Sequence, residues 1–522
     1  MDEFVRNVKS QVIPLSTLDM ASSFVNIQFY YYYKNNKPAS SSQCKKGSSN
    51  STFMPSDLLY ASFYKALLEF PILAGHLVQK EDCSGTVVVD KHNLNLPEFG
   101  ISYSSVDFAD LEATRFSWSA LPDGVASVGA FPTANSNGVI KLLNVHIVRL
   151  KSNSGLVMFV SMPHYVVDGI GYSAFVCRWA ELSKQMHQCV PASKPAEKFV
   201  FDRRYIEQSL PASGKELDSA TYCTYTAGGY LSSWVSWLSP QSRGKIYENF
   251  SSLVGLAGHV FHISQTRLEM IRQQSVASSD YNANDDNKSN QKATQRLSDN
   301  DIITALVSMV VAQGVKSNIE STTGKGAFRK TVDWFVSWLS GKQVRFSTMF
   351  VVDPRPRLEH RSQDRLQRPS TCYTGNIVLI RTVNNPLELV HAELDSSALG
   401  DVAHSIRAAV NNCDAYFAKQ VVDTINKRPS EFAGGAVSGC TNMQRVVVTN
   451  QSRFPLYDAD FGSGTPMWIS PLETFYDKFA SILPQNPHSS KKGYDIFISA
   501  DKRIMAGILC NKTWHELVDM VY

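Results

Sequence analysis

No two of the nine cysteines stand at C-x-x-C spacing, and they are scattered from Cys44 to Cys510. That removes the usual zinc and dithiol frameworks, so no metal is expected, and an odd number of dispersed thiols fits a reducing compartment. Charge of one sign is also scarce: 51 Lys and Arg stand against 47 Asp and Glu, leaving a net charge of +4. With the basic residues spread out, nothing in that balance draws the chain to nucleic acid. No run of 18 apolar residues is present to span a bilayer. The opening MDEFVRNVKSQVIPL places acidic residues where a signal peptide needs positive charge, and it has no apolar core. A cytoplasmic protein is expected. The absence of a G-x-S-x-G elbow disfavours a serine hydrolase.

What is present is a globular composition. The 522 residues are 43% apolar and 19% charged, enough for two large domains or three ordinary ones. Two polar tracts, at 35–52 and 272–296, are rich in Ser, Asn, Lys and Asp and read as mobile surface loops. A third polar segment, 187–219, carries three prolines and reads as a crossover between two halves. The expected division is an amino-terminal domain over 1–188, a crossover over 189–219 and a carboxy-terminal domain over 220–522. Each half alternates strand-like runs (VIKLLNVHIVRL, GLVMFVSM; RFSTMFVVD, NIVLIRTV) with helical periodicity (LLYASFYKALLEF, IGYSAFVCRWAELSKQ; DNDIITALVSMVVA, ELVHAELDSSALGDVAHSIRAAV). The fold class is therefore α/β with mixed sheets.

The stretch VSMPHYVVDGIGYSAF sets His164 four residues before Asp168, where an apolar strand gives way to Gly169 and Gly171 and a helix. Spacing alone means little, because HAELD repeats it at His391 and Asp395 inside a helical pattern, where i and i+4 are merely neighbours. A histidine at a strand end can face a cleft, stay neutral and take a proton from a nucleophile, a step typically worth about 10²- to 10⁴-fold. A core histidine beside an Asp that caps the helix is the equally local alternative.

The ordered segments around it resemble the acyl-CoA-dependent acyltransferase superfamily known as BAHD. PLSTLD (14–19), FPILAGHL (70–77), HYVVDG (164–169), FDRR (201–204), SDNDIITAL (298–306), VVDPRPRL (351–358), YTGN (373–376) and SRFPLYDADFGSG (452–464) fall in that family's order. The resemblance implies two similar-sized mixed-sheet domains of the chloramphenicol-acetyltransferase-like type, with the active site at their interface. It implies His164 as general base, with Asp168 turned from the substrate toward Arg355 and Gly169 shaping the turn. Asp460, Gly462 and Gly464 become a structural loop. Acyl-CoA is then a co-substrate rather than a bound cofactor, and its phosphate contacts cannot be named because no glycine-rich phosphate loop is present. The acceptor is a small, lipophilic alcohol or amine of secondary metabolism, and the protein is expected to be a monomer.

Two departures stand out. Ser463 replaces the tryptophan of D-F-G-W-G, pointing to a fungal-type branch, and Asn450 and Gln451 replace a Ser-Trp pair. Thr449 or Gln451 is therefore the candidate donor to an oxyanion. YLSSWVSWLS (230–239) and DWFVSWLSG (333–341) are either buried helix faces or an apolar access surface touching a membrane. Competing functions are a carrier-dependent condensation enzyme, against which Pro163 stands where a second histidine is usual, and a non-catalytic binder of small ligands.

Overall fold

The computed structural model describes residues 1–22, 25–36, 53–79, 84–123, 125, 129, 131–191, 199–212, 216–217, 221, 255–281, 296–322, 345–358, 373–395, 397–429, 444–473 and 477–522. Its first strands are β1 (Gln11–Pro14), β2 (Asn26–Lys34), β3 (His76–Gln79), β4 (Gly85–Val89), β5 (Glu98–Tyr103), β6 (Asn144–Arg149) and β7 (Gly155–Pro163). They continue with β8 (Leu256–Ser264), β9 (Arg345–Val352), β10 (Leu379–Pro386), β11 (Arg445–Asn450), β12 (Trp468–Ser470), β13 (Phe479–Ile482), β14 (Gly493–Asp501) and β15 (Asp519–Met520).

Three mixed or antiparallel sheets result. A five-stranded sheet runs β12-β2-β7-β6-β5, a seven-stranded one β10-β9-β11-β13-β14-β8-β15, and a small one β1-β4-β3. β7 reads GLVMFVSMP with every residue buried, and its neighbour β2, NIQFYYYYK, is buried up to its last lysine. Both are covered on two faces, which is why neither shows the alternation of a half-exposed strand. One cover is the helix Gly169–His187, whose Phe175, Trp179 and Leu182 sink into a cluster with Leu59 and Phe63 of the helix Ser56–Glu69. Trp179 finds its hydrogen bond there, donating Nε1–H to the Leu59 carbonyl at 3.0 Å.

In the larger sheet β11 lies parallel between β9 and β13. Behind it runs the helix Asp299–Thr322. Residues Asp299–Ile319 are long and apolar enough to cross a membrane, yet 72% of that apolar window is buried inside the protein, so the core accounts for its composition. The two halves are also fastened together. β12 leaves the carboxy-terminal half and pairs antiparallel with β2, Trp468 to Tyr32 and Ser470 to Tyr30.

Several sequence expectations change here. ELVHAELDSSALGDVAHSIRAAV is not one helix: Leu387–Val390 and Ser397–Asn411 are separate, and His391 and Asp395 fall in the turn between them. Leu394, fully buried, draws that turn inward. The polar tract from 272 begins as helix, because Gln265–Tyr281 runs into it on good helix formers such as Gln, Arg, Glu and Met. In VIKLLNVHIVRL only Asn144–Arg149 is strand, and in NIVLIRTV the strand starts at Leu379. The tryptophan-rich segments 230–239 and 333–341 lie outside the described residues, as does 37–52.

Candidate active site

The end of β7 delivers His164 to a cavity of about 210 Å3 between the two large sheets. Its backbone N–H donates to the Val25 carbonyl at 2.7 Å, which fixes the chain at the strand's exit. Asp168 then starts the helix, its Oδ1 accepting from the N–H groups of Ile170 and Gly171 at 3.1 and 3.0 Å. Its Oδ2 accepts from Arg355 at 2.7 Å, with both side chains almost fully buried. Arg355 also donates to the carbonyls of Tyr373 and Gly375 and reaches Asp353. Asp168 is thus a helix cap and an ion-pair partner at once. Glycine is required twice at this turn: a Cβ on Gly169 would sit 2.1 Å from the Phe454 ring, and one on Gly171 would sit 2.2 Å from the Thr374 carbonyl oxygen.

That second approach brings Tyr373–Asn376 against His164. The His164 ring nitrogen Nδ1 lies 2.9 Å from Asn376 Oδ1. Asn376 Nδ2 donates to Asp19 Oδ1 at 2.9 Å and to the His164 carbonyl at 2.7 Å, while its backbone N–H donates to the same Asp19 oxygen. A carboxylate and a carbonyl are acceptors only, so the amide cannot be turned over. Its oxygen therefore faces the ring, and the ring proton resides on Nδ1. Asp19 is completed by Ser16 N–H at 2.9 Å and by Arg203, whose other arm donates to the Val166 carbonyl. Burial pushes the His164 pKa below its usual 6.5, against smaller upward contributions from Asp168, Asn376 and Asp19. At neutral pH the ring is an uncharged imidazole whose Nε2 lone pair has no partner among the described residues.

Asn376, Asp19 and Arg203 were visible in the sequence only as members of the segments YTGN, PLSTLD and FDRR. Thr449 and Gln451, at the carboxyl end of β11, line the same cavity, and the side-chain oxygen of Gln451 has no partner among the described residues. Asp460 belongs elsewhere. Its Oδ1 accepts from Gly462 and Gly464 N–H, both at 2.9 Å, and its Oδ2 pairs with Lys184 at 2.8 Å. Gly462 and Gly464 take φ of +97° and +104°, which other residues resist. Burial works against ionisation of Asp460, but Lys184 and the two N–H groups outweigh it and hold its carboxyl below the usual range. The loop therefore clamps the far end of the helix that Asp168 begins, about 28 Å away at 1.5 Å per residue. Among the described residues no group of His, Cys, Asp and Glu is arranged to hold a metal ion.

The model of the Transferase family matches residues 6–222 and 335–513. Hydroxycinnamoyltransferase 2 of Oryza sativa subsp. japonica is 29% identical over 115 residues, 22% of this chain and 24% of that protein. Shikimate O-hydroxycinnamoyltransferase of Nicotiana tabacum is 26% identical over 132 residues, 25% of this chain and 29% of that protein. The matched part is thus 24–29% of these relatives' length. Whole-fold similarity is broader: F. graminearum TRI101, solved with coenzyme A and deoxynivalenol, superposes with a TM-score of 0.66 over 98% of this chain and 100% of that one, at 13% identity. Vinorine synthase does so with a TM-score of 0.52 over 98% of each chain, at 15% identity. With both mixed sheets in place and the family model covering most of the chain, the protein belongs to the Transferase family, the BAHD acyltransferases of two-domain chloramphenicol-acetyltransferase-like fold.

Proposed function

We propose that this protein transfers an acyl group from a CoA thioester directly to a hydroxyl, or an amine, of a small lipophilic acceptor, with His164 as general base. The observation that carries this is the fixed tautomer: Asn376 holds the proton on Nδ1, leaving Nε2 basic in the shared cavity. The acceptor O–H gives its proton to Nε2 as its oxygen bonds to the thioester carbon. The tetrahedral intermediate then collapses, the C–S bond breaks, and the thiolate takes the proton back to leave as free CoA. Both substrates held in one cavity supply the proximity that an already activated thioester needs. The coenzyme A bound by TRI101 supports the donor class. In this reading Gln451, or the Thr449 hydroxyl, donates to the oxyanion, supported by their position in the cavity lining. We place the protein in the cytoplasm as a monomer serving secondary metabolism.

The test is acceptor-dependent release of free CoA from a panel of acyl-CoAs, followed chromatographically for the native protein and His164→Ala. Release that needs an acceptor and is lost in the variant supports the reading, and equal release in both removes His164 from the chemistry. Within an active pair, Gln451→Ala should lower kcat by about 10²- to 10³-fold if its amide stabilises the oxyanion. An unchanged kcat would assign that role elsewhere. The pH profile gives an independent check. Because burial depresses His164, the acid limb of kcat/KM should be centred below pH 6.5 and fall tenfold per unit below that lowered pKa. A limb centred above 6.5 would contradict a buried neutral base.

A further inference from the structure

The large sheet is apolar on both faces, and the cavity lies against the second. On β11, β13 and β14, Val446, Val448, Ala480, Ile482, Ile496 and Ile498 enter the core shared with the helix Asp299–Thr322. Their alternates turn the other way, as the pleat requires: Val447, Phe479 and Phe497 line the cavity, joined from β9 and β10 by Met349, Val351 and Ile380. Val351, Ile380 and Val447 are only partly buried although they lie within the sheet, so the cavity reaches them. Register makes this floor long and narrow. Met349, Val447 and Phe479 stand side by side, Thr449 stands beside Ser481 and Ser481 beside Phe497, and Ile380 stands opposite Val351. Five adjacent strands give it a length of about 19 Å across the sheet, while two alternating residues on a strand give a width of only about 7 Å. The solvated face of a sheet is ordinarily polar, so a face this apolar inside a ligand cavity calls for an apolar occupant.

The two ends of the floor differ. Asp353 and Arg355 follow β9, and Asn376, which holds His164, precedes β10, so the charged lining gathers at the β9–β10 end. The β13–β14 end has no charged lining among the described residues. It nevertheless begins beside the base. Val25, whose carbonyl holds the His164 N–H at 2.7 Å, packs in one cluster with Val447, Phe479 and Phe497. Trp118 backs Phe497 edge-on, with ring centroids 5.7 Å apart, and closes that end. We propose that the β13–β14 arm holds the acyl chain of the CoA thioester, and that the preferred donor carries a straight, saturated chain of about octanoyl length. The inference rests on the acyl-transfer reading and narrows its donor. From Thr449, a floor residue and one of the two oxyanion donors in that reading, the arm runs two strand spacings to β14, about 10 Å, which is the reach of an extended octanoyl chain. The phosphates of coenzyme A are kept out of the arm because no cation there would pair them. The acceptor, which must bring an O–H or N–H to Nε2, is left the other end, where the Asp353 side chain is 45% exposed and offers a polar wall.

The experiment is a calorimetric binding series with S-alkyl-CoA thioethers from S-ethyl to S-dodecyl, which bind without reacting. Affinity should rise about three- to fourfold per added methylene up to S-octyl and level off beyond it. Val447→Phe should flatten the series beyond S-butyl, and Phe497→Leu should move the plateau to longer chains, with binding of S-ethyl-CoA as the check that each variant is folded. A native series that is flat from S-ethyl to S-octyl overturns the arm, as does one that climbs without a break to S-dodecyl. A parallel series of 1-alkanols with acetyl-CoA, read by release of CoA, tests the rival occupant: a chain-length gain there and none among the thioethers gives the arm to the acceptor and overturns the proposal. Failure of every thioether to bind overturns the acyl-transfer reading together with the arm, whereas binding without a slope overturns the arm alone.

Discussion

Asn376→Ala should lower kcat about 10²-fold or more, His164→Ala about 10²- to 10⁴-fold, and the double variant little beyond His164→Ala alone. The expectation follows from what the amide does. With both Nδ2 protons committed to Asp19 and the His164 carbonyl, Asn376 Oδ1 accepts the ring proton and excludes the tautomer in which Nε2 carries it. Loss of the amide frees the ring to rotate and to place its proton on the wrong nitrogen, so the fraction of molecules with a usable base falls. The pH profile separates this from simple damage. The hydrogen bond that the ring donates to Asn376 raises the His164 pKa, so its removal should move the acid limb to still lower pH, and Asp19→Asn should move it the same way. A fall in kcat with an unmoved limb, or strict additivity in the double variant, would show that Asn376 acts through folding alone.

The second large effect concerns stability. Arg355→Met should destabilise the protein by about 3–5 kcal/mol, read as a lower urea midpoint, because it strands the Asp168 carboxylate in a site almost closed to water. Asp168→Ala should cost a similar amount, with roughly 1 kcal/mol of it from the lost cap at Ile170 and Gly171. The two residues share one interaction, so the double variant should cost clearly less than the sum of the singles. A loss under about 1 kcal/mol for Arg355→Met would mean that the pair is solvated and plays no such part.

The parts of the site that could be read from the sequence are those carried by local grammar. An apolar run, a histidine, an aspartate and two glycines announce a strand, a turn and a capped helix, and the structure has all of them between Gly155 and His187. Asn376 lies 212 positions from His164, and a neutral amide within YTGN has no periodicity or charge pattern to mark it. Arg203 lies in a segment that reads as a polar crossover, but its head group is buried beside Asp19. Gln28 reads in sequence as one polar residue in a run of tyrosines, and only the pairing of β2 with β7 places it near the exit of His164. Polarity misled in the other direction at 272, where a hydrophilic helix resembles a loop to any measure of composition.

The exchange of β12 onto β2 has a mechanical consequence. A half-molecule ending before residue 220 would keep β2 but lose the strand that covers Tyr30–Tyr32, exposing a row of unpaired backbone groups on an aromatic edge. Such a fragment should be sticky when made alone and should recover solubility when the other half is co-expressed, making the chain a natural candidate for split-protein reconstitution. The same buckle resists wide hinge opening across the cleft. Small molecules must then thread their way in and out, so bulk on the walls, rather than the swing of one lobe, sets the gauge of what is admitted.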